Sequence, residues 1–272
     1  MALLAIPEPY DFELSTERFR AFGPDVGNLW HEGGLHRVVG GREVRIEAAP
    51  GGVDVEPFDV EIEPVVRSLL GLPFELAPFY AFAESDPVLA RLVGGLEGLR
   101  PPLAPDPFES LITSISAQQV SLFAAFAVRN RFVERYGERG EHAHAFPRRE
   151  RVAAGSVEEL RSLGFSTRKG EYVLGIAQSD LDLDGLGELA DDEIRARLTA
   201  LPGIGEWTVD WFLARHLARP RAWPAGDLGL RKAVAAFYSA DGDVREFGSR
   251  FAPFENLSAH YLLTGLRVML PA

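Results

Sequence analysis

Cysteine is absent from the 272 residues, which removes disulfides, iron–sulfur clusters, thiolate zinc sites and cysteine nucleophiles together. Long apolar runs are missing too, so no segment reads as a bilayer-crossing helix. The stretch from Met1 to Pro9 has no basic leader and does not read as a secretory signal, so a cytoplasmic location is expected, nucleoid-associated in a prokaryote. The chain shows no fixed-period repeat, low-complexity tract, P-loop, dinucleotide fingerprint or serine-hydrolase elbow. What is present is an average globular composition, 46% hydrophobic and 25% charged. At roughly 150 residues per domain, the length suggests about two domains.

A formal charge of -12 counts against a nucleic-acid partner only if it is spread evenly. It is not. Residues 1–100 hold 8 basic and 17 acidic side chains, whereas Arg195 to Lys232 hold 7 basic and 3 acidic. Screening over roughly 8–10 Å at physiological salt makes local charge govern contact. The distribution predicts a narrow basic footprint, with weak non-specific DNA affinity that falls with salt.

Leu35 to Val39, Glu43 to Ala48 and Val53 to Phe58 alternate apolar and polar residues, separated by Gly40-Gly41 and Pro50-Gly51-Gly52. This pattern predicts an antiparallel sheet, with helical segments around Ser15 to Ala21 and Ile62 to Leu70. After Arg100-Pro101-Pro102 the pattern becomes helical. Asp106, Pro107 and Glu109 read as N-cap, first-turn proline and capping-box partner, and Ser156 with Glu159 repeats the box. The reading is α+β: an N-terminal antiparallel sheet domain over residues 1–100 and a helical domain over residues 101–272.

Leu201-Pro202-Gly203-Ile204-Gly205 joins two helical patterns, Asp192 to Ala200 and Glu206 to Leu217. Two glycines in so short a link permit positive φ and close approach of another molecule, and the next helix offers free N–H groups to a phosphate. A tight corner with no ligand explains the pentapeptide equally well. Taken alone, Asp227 is most simply the N-cap of the helix from Leu228, and Trp207 and Trp211, four apart on one face, are more often core than pocket.

The combination resembles the helix-hairpin-helix DNA glycosylase superfamily. Leu-Pro-Gly-Ile-Gly-Glu-Trp-Thr is followed by Asp227, 22 residues beyond Gly205, in Trp223-Pro224-Ala225-Gly226-Asp227-Leu228. Pro9-Tyr10-Asp11-Phe12, Asp106-Pro107-Phe108-Glu109, Ala117-Gln118-Gln119-Val120-Ser121 and Tyr136-Gly137 extend the resemblance toward the AlkA-type 3-methyladenine DNA glycosylases over nearly the whole chain. The resemblance implies that Asp227 is the catalytic carboxylate, that Gly203, Gly205 and Thr208 grip the DNA backbone, that Gln119 is the wedge replacing a flipped base, and that Trp207 and Trp211 line the base pocket. Electron-rich rings there would favour cationic alkylated purines. A glutamine at a wedge position that is often apolar is a departure.

Bifunctional members carry a nucleophilic lysine two residues past the second glycine; here Trp207 occupies that position, and neither Lys169 nor Lys232 matches. Hydrolysis without lyase activity is expected. Glu255 and Asn256 stand where a basic residue and a serine are more usual, which bears on the pocket's far wall. No cofactor is required; the resemblance leaves room for a monovalent cation at the hairpin's backbone carbonyls.

Two metal readings are set aside. Asp180-Leu-Asp182-Leu-Asp184-Gly185 with Asp191 nearly fits a calcium loop, but the final bidentate ligand is shortened. His142 and His144 are too close to share a helical face, and the sequence shows no distant cluster to complete a site. The expected function is excision of alkylated purines such as 3-methyladenine or 7-methylguanine from duplex DNA by a monomer, with no metal held by side chains. The rivals are a glycosylase for oxidised or deaminated purines such as 8-oxoguanine or hypoxanthine, and a non-catalytic helix-hairpin-helix DNA-binding module.

Overall fold

The computed structural model describes residues 2–240 and 242–270. Among them, five strands form one antiparallel sheet in the order β1-β5-β4-β3-β2: β1 (Ala2–Ala5), β2 (Leu29–His31), β3 (Gly34–Val39), β4 (Arg42–Ala49) and β5 (Gly52–Glu56). The three strands expected from alternation are present. The two edge strands were not anticipated, since runs of 4 and 3 residues are too short to display a period.

Leu35, Val44, Ile46, Val53 and Val55 project from one face of the sheet into a core shared with α1 (Phe12–Thr16) and α2 (Ile62–Leu69). The alternation turns His36 and Glu43 to the opposite face. The helix expected around Ser15 to Ala21 begins earlier, because Asp11 accepts a hydrogen bond from Leu14 N–H at 2.9 Å and so caps α1; Glu17–Phe19 continues it as a 3₁₀ turn.

The remaining helices are α3 (Leu76–Ala83), α4 (Pro87–Gly95), α5 (Pro107–Ala117), α6 (Leu122–Tyr136), α7 (Arg149–Ala153), α8 (Val157–Ser162), α9 (Thr167–Gln178), α10 (Asp191–Thr199), α11 (Glu206–Arg215), α12 (Leu228–Tyr238), α13 (Val244–Gly248) and α14 (Glu255–Val268). They pack around two further cores. One joins α5 and α6 to α7 through α11, centred on Leu111, Ile112, Phe132 and Phe212. The other joins α3 and α4 to α12 and α14, through Phe79, Leu89, Leu92, Leu230 and Tyr261. Packing therefore does not divide at residue 100: α3 and α4 lie before that point in the chain yet bury their apolar faces against the C-terminal helices.

Glu109 corrects the capping-box reading. Asp106 does cap α5, accepting from Glu109 N–H at 2.7 Å. The Glu109 carboxylate instead turns inward, accepting from Arg37 at 3.0 and 2.6 Å and from Arg129 at 2.7 Å. Arg129 also pairs with Asp25, which in turn accepts from Asn28 at 3.1 Å. All five side chains are buried. This network ties β3 and the loop before β2 to α5 and α6. Glu159 departs likewise: Ser156 caps α8, while the Glu159 carboxylate pairs with Arg135.

Candidate active site

A cleft of about 990 Å³ opens where the three cores meet. Its walls come from the segment after α1 (Arg18, Phe22), the α5–α6 turn (Gln118, Gln119), the hairpin (Gly203, Gly205), α11 (Trp207, Trp211, Arg215) and the start of α12 (Asp227). Asp227 caps α12, its Oδ1 accepting from Leu230 N–H at 3.0 Å. Its Oδ2 accepts from both indoles, Trp207 Nε1 and Trp211 Nε1, each at 3.1 Å. The capping and catalytic readings of Asp227 are therefore compatible: the cap and two tryptophans hold one carboxylate in a fixed orientation at the cleft wall. Placed under a sugar, such a group stabilises positive charge developing as a base departs and can orient a water.

Gly203 has φ +85°, and a Cβ on it would run into the Tyr172 ring; a Cβ on Gly205 would meet nothing within 4 Å. The first glycine is thus required by the turn, and the second leaves the backbone open to an outside molecule. The N–H groups of Gly205 and Glu206 at the start of α11 have no acceptor among the described residues. Gln118 braces the hairpin, donating from Nε2 to Gly203 O at 2.9 Å and to Thr208 Oγ1 at 3.2 Å. Thr208 is only 1% exposed, so its hydroxyl is a strut for the hairpin and does not reach out to a DNA backbone. Replacing Gly203 with alanine should lower stability by about 1–3 kcal/mol and weaken binding to undamaged duplex. Thermal melting and fluorescence anisotropy check this.

Gln119 sits in the α5–α6 turn with φ +56° and is exposed at the cleft rim. The turn separates α5 from α6, so Gln119 belongs to neither helix. Around it the rim is apolar: Val120 and Leu122 are exposed, Phe123 is 64% exposed, and Leu228 beside Asp227 is 63% exposed.

Residues 112–250 match the HhH-GPD superfamily base excision DNA repair protein family. The chain belongs to that superfamily. It is 30% identical to DNA-3-methyladenine glycosylase 1 of Schizosaccharomyces pombe, over 74% of this chain and 90% of the relative. To a DNA-3-methyladenine glycosylase of Bacillus subtilis it is 32% identical over 62% of this chain, an alignment spanning 59% of that relative's length. Among solved structures, a 3-methyladenine DNA-glycosylase from Archaeoglobus fulgidus superposes over 100% of both chains with a TM-score of 0.89 and 26% identity.

Within this HhH-GPD fold, the cleft contains a cationic group that sequence reading missed. Arg215 lies over the Trp211 ring, its Cζ 3.5 Å from the centroid. Burial pushes Arg215 well below its usual range, and repulsion from Arg18 adds to that, while Asp227 opposes it. Burial likewise pushes Arg18 down to about 10, helped by Arg267 and resisted by Asp227. Trp207, Trp211 and Arg215 recur every four residues, so the sequence did contain a signal for Arg215; Arg18 and Arg267 come from remote segments and gave none. Arg215 thus covers one face of the Trp211 ring.

Glu255 and Asn256 do not form the far wall. Asn256 is buried and donates to Ala214 O at 3.1 Å and Arg219 O at 3.0 Å, and Glu255 pairs with Arg221; the α14 residues lining the cleft are Leu263 and Arg267. Much of the expected basic footprint is internally paired as well. Arg195 binds Glu206 and Asp210, Arg197 binds Glu193 and Arg219 binds Asp191. Arg231 and Lys232, exposed in the first turns of α12, have no ionic partner among the described residues. His216 packs on Phe212 and binds Ala104 O at 2.8 Å, a structural role. The segment from Asp180 to Asp191 gathers no metal-ligating cluster among the described residues; Leu183 and Leu186 pack inward instead.

Proposed function

We propose that the protein is a monofunctional DNA glycosylase that hydrolyses the N-glycosidic bond of alkylated purines in duplex DNA, leaving an abasic site. The observation that carries the reading is Asp227, held by three N–H donors in a cleft directly beside an open helix-hairpin-helix turn. The names of the relatives support the same substrate class. In this reading the hairpin N–H groups hold a DNA phosphate, Arg231 and Lys232 add local positive charge, and Gln119, flanked by Val120 and Leu122, enters the gap left by the flipped nucleotide. The enzyme acts as a monomer, and the carbonyls of Pro202 and Ile204, which accept no hydrogen bond among the described residues, are available to a monovalent cation bridging to phosphate. Trp207 occupies the place of a lyase lysine, so water is the nucleophile.

Arg215 and Arg18 favour a second reading in which neutral purines such as hypoxanthine are also accepted, because a base departing as an anion gains from buried guanidinium charge. Duplexes carrying 7-methylguanine, hypoxanthine or 8-oxoguanine separate these readings when alkali-labile sites are counted. Release of 7-methylguanine is expected, with no strand scission before alkali and no borohydride-trapped adduct. Release of 8-oxoguanine alone, or a trapped adduct, would overturn the assignment.

A further inference from the structure

Three of the chain's six histidines meet on the sheet face that points away from its core. The ring centroids of His31 and His142 lie 4.5 Å apart, those of His36 and His142 5.1 Å, and those of His31 and His36 5.7 Å. Two imidazoles bound through nitrogen to one tetrahedral ion at about 2.0–2.1 Å have centroids about 5 Å apart. The observed spacings straddle that value.

The cluster is built from distant segments. His31 and His36 come from β2 and β3, Glu43 from β4, and His142 from the tight turn after α6. That turn is closed by Gly140 N–H donating to Ala143 O at 2.8 Å, and it is pressed onto the sheet: a Cβ on Gly140 would overlap the Glu43 carboxylate and lie 2.8 Å from Val38 Cγ2. Glu43 is the organiser. Its Oε2 accepts from His142 N–H at 2.8 Å and Ala143 N–H at 3.1 Å, and its Oε1 lies 2.8 Å from His36 Nδ1.

An ionised carboxylate only accepts, so His36 donates from Nδ1, and the neutral ring keeps a lone pair on Nε2. That Nε2 is buried and has no hydrogen-bond partner, on a side chain only 6% exposed. A carboxylate fixing one nitrogen of an imidazole while the other is left vacant is the arrangement that prepares histidine for a metal. Ligand atoms from His36, Glu43 and His142 already fall within 4.8 Å of one another, whereas His31 lies outside that group and reaches an ion only by turning its partly exposed ring. His31 and His142 are 40% and 36% exposed, which gives an ion a route in and leaves a coordination position for water.

We propose that His31, His36 and His142, with Glu43 orienting His36, form a zinc site that fastens the turn after α6 to the outer face of the sheet. Imidazole nitrogens suit zinc, as they do copper, nickel and iron, and the chain has no cysteine to offer thiolate in their place. None of the four residues lines the cleft that holds Asp227. The site therefore stands whether or not the glycosylase reading does.

The test uses the full chain, stripped with EDTA, dialysed, and titrated with Zn²⁺ or with Co²⁺ as a spectroscopic reporter. The expected result is one equivalent bound, with d–d absorption for Co²⁺, a Zn²⁺-dependent rise in melting temperature, and at least tenfold weaker binding in His31→Ala, His142→Ala and Glu43→Gln. His31 and His142 are partly exposed, so their variants should melt like wild type in EDTA, which separates loss of a ligand from loss of the fold. No stoichiometric binding by wild type at 100-fold excess metal, or undiminished binding in the His31→Ala/His142→Ala double variant, would overturn the proposal.

Discussion

Asp227→Asn should reduce base release by about 10³-fold or more while leaving the protein folded, because it removes the negative charge from the carboxylate that Trp207 and Trp211 hold at the cleft wall. The variant keeps the shape but not the hydrogen bonding. Aspartate presents one oxygen to Leu230 N–H and the other to two indole N–H groups; asparagine has only one carbonyl oxygen to offer. Either the helix cap or the tryptophans must therefore lose an acceptor, at a cost of about 1–3 kcal/mol. Single-turnover release and thermal melting together separate the effects. A large loss of rate with a small loss of stability is expected, and full activity in the variant would remove Asp227 from the chemistry.

Glu109→Ala should be the most destabilising single change outside the hydrophobic cores. One carboxylate there serves Arg37 and Arg129, and its removal leaves buried guanidinium charge compensated only by Asp25. Losing one member of such a buried set costs about 3–5 kcal/mol, a large part of a total of about 5–15 kcal/mol. Denaturant titration reads it directly as a lower midpoint.

The same network fixes a pH dependence. Burial alone would raise both carboxyls, but the arginine charges and hydrogen bonds outweigh it and hold Glu109 and Asp25 below their usual range. Carboxyls depressed in the folded state stabilise the protein above their unfolded values of about 4, and that contribution is lost as pH falls through the folded values. Stability should be flat near neutrality and decline below about pH 4. Glu109→Gln should flatten the acid limb.

What the sequence revealed depended on how far apart the interacting residues are. Asp227 as a cap, the Trp207–Trp211 face and the glycine hairpin are all written in spacings of five residues or fewer, and local geometry realises them. The three longer strands of the sheet announce themselves by alternation in the same way.

Residues that act through remote partners were misread. Glu109 has the spacing of a capping-box partner, but its carboxylate is claimed by Arg37, 72 residues away in sequence. Thr208 follows the hairpin, but packing turns its hydroxyl toward Gln118, 90 residues earlier. His142 meets only Glu141 within its own turn and acquires His31, His36 and Glu43 as neighbours when the sheet is folded beneath it. The cationic side of the cleft is similar: Arg18 and Arg267 stand at opposite ends of the chain and meet near Asp227 only in the folded protein.

The most direct test of the account is single-turnover release of free 3-methyladenine and 7-methylguanine from methylated duplex DNA, followed by chromatography, with wild type and Asp227→Asn side by side. The account predicts that wild type liberates the methylated bases and leaves intact strands that break only in alkali, and that the variant releases almost nothing. Failure of wild type to release either base, or equal release by the variant, would contradict it.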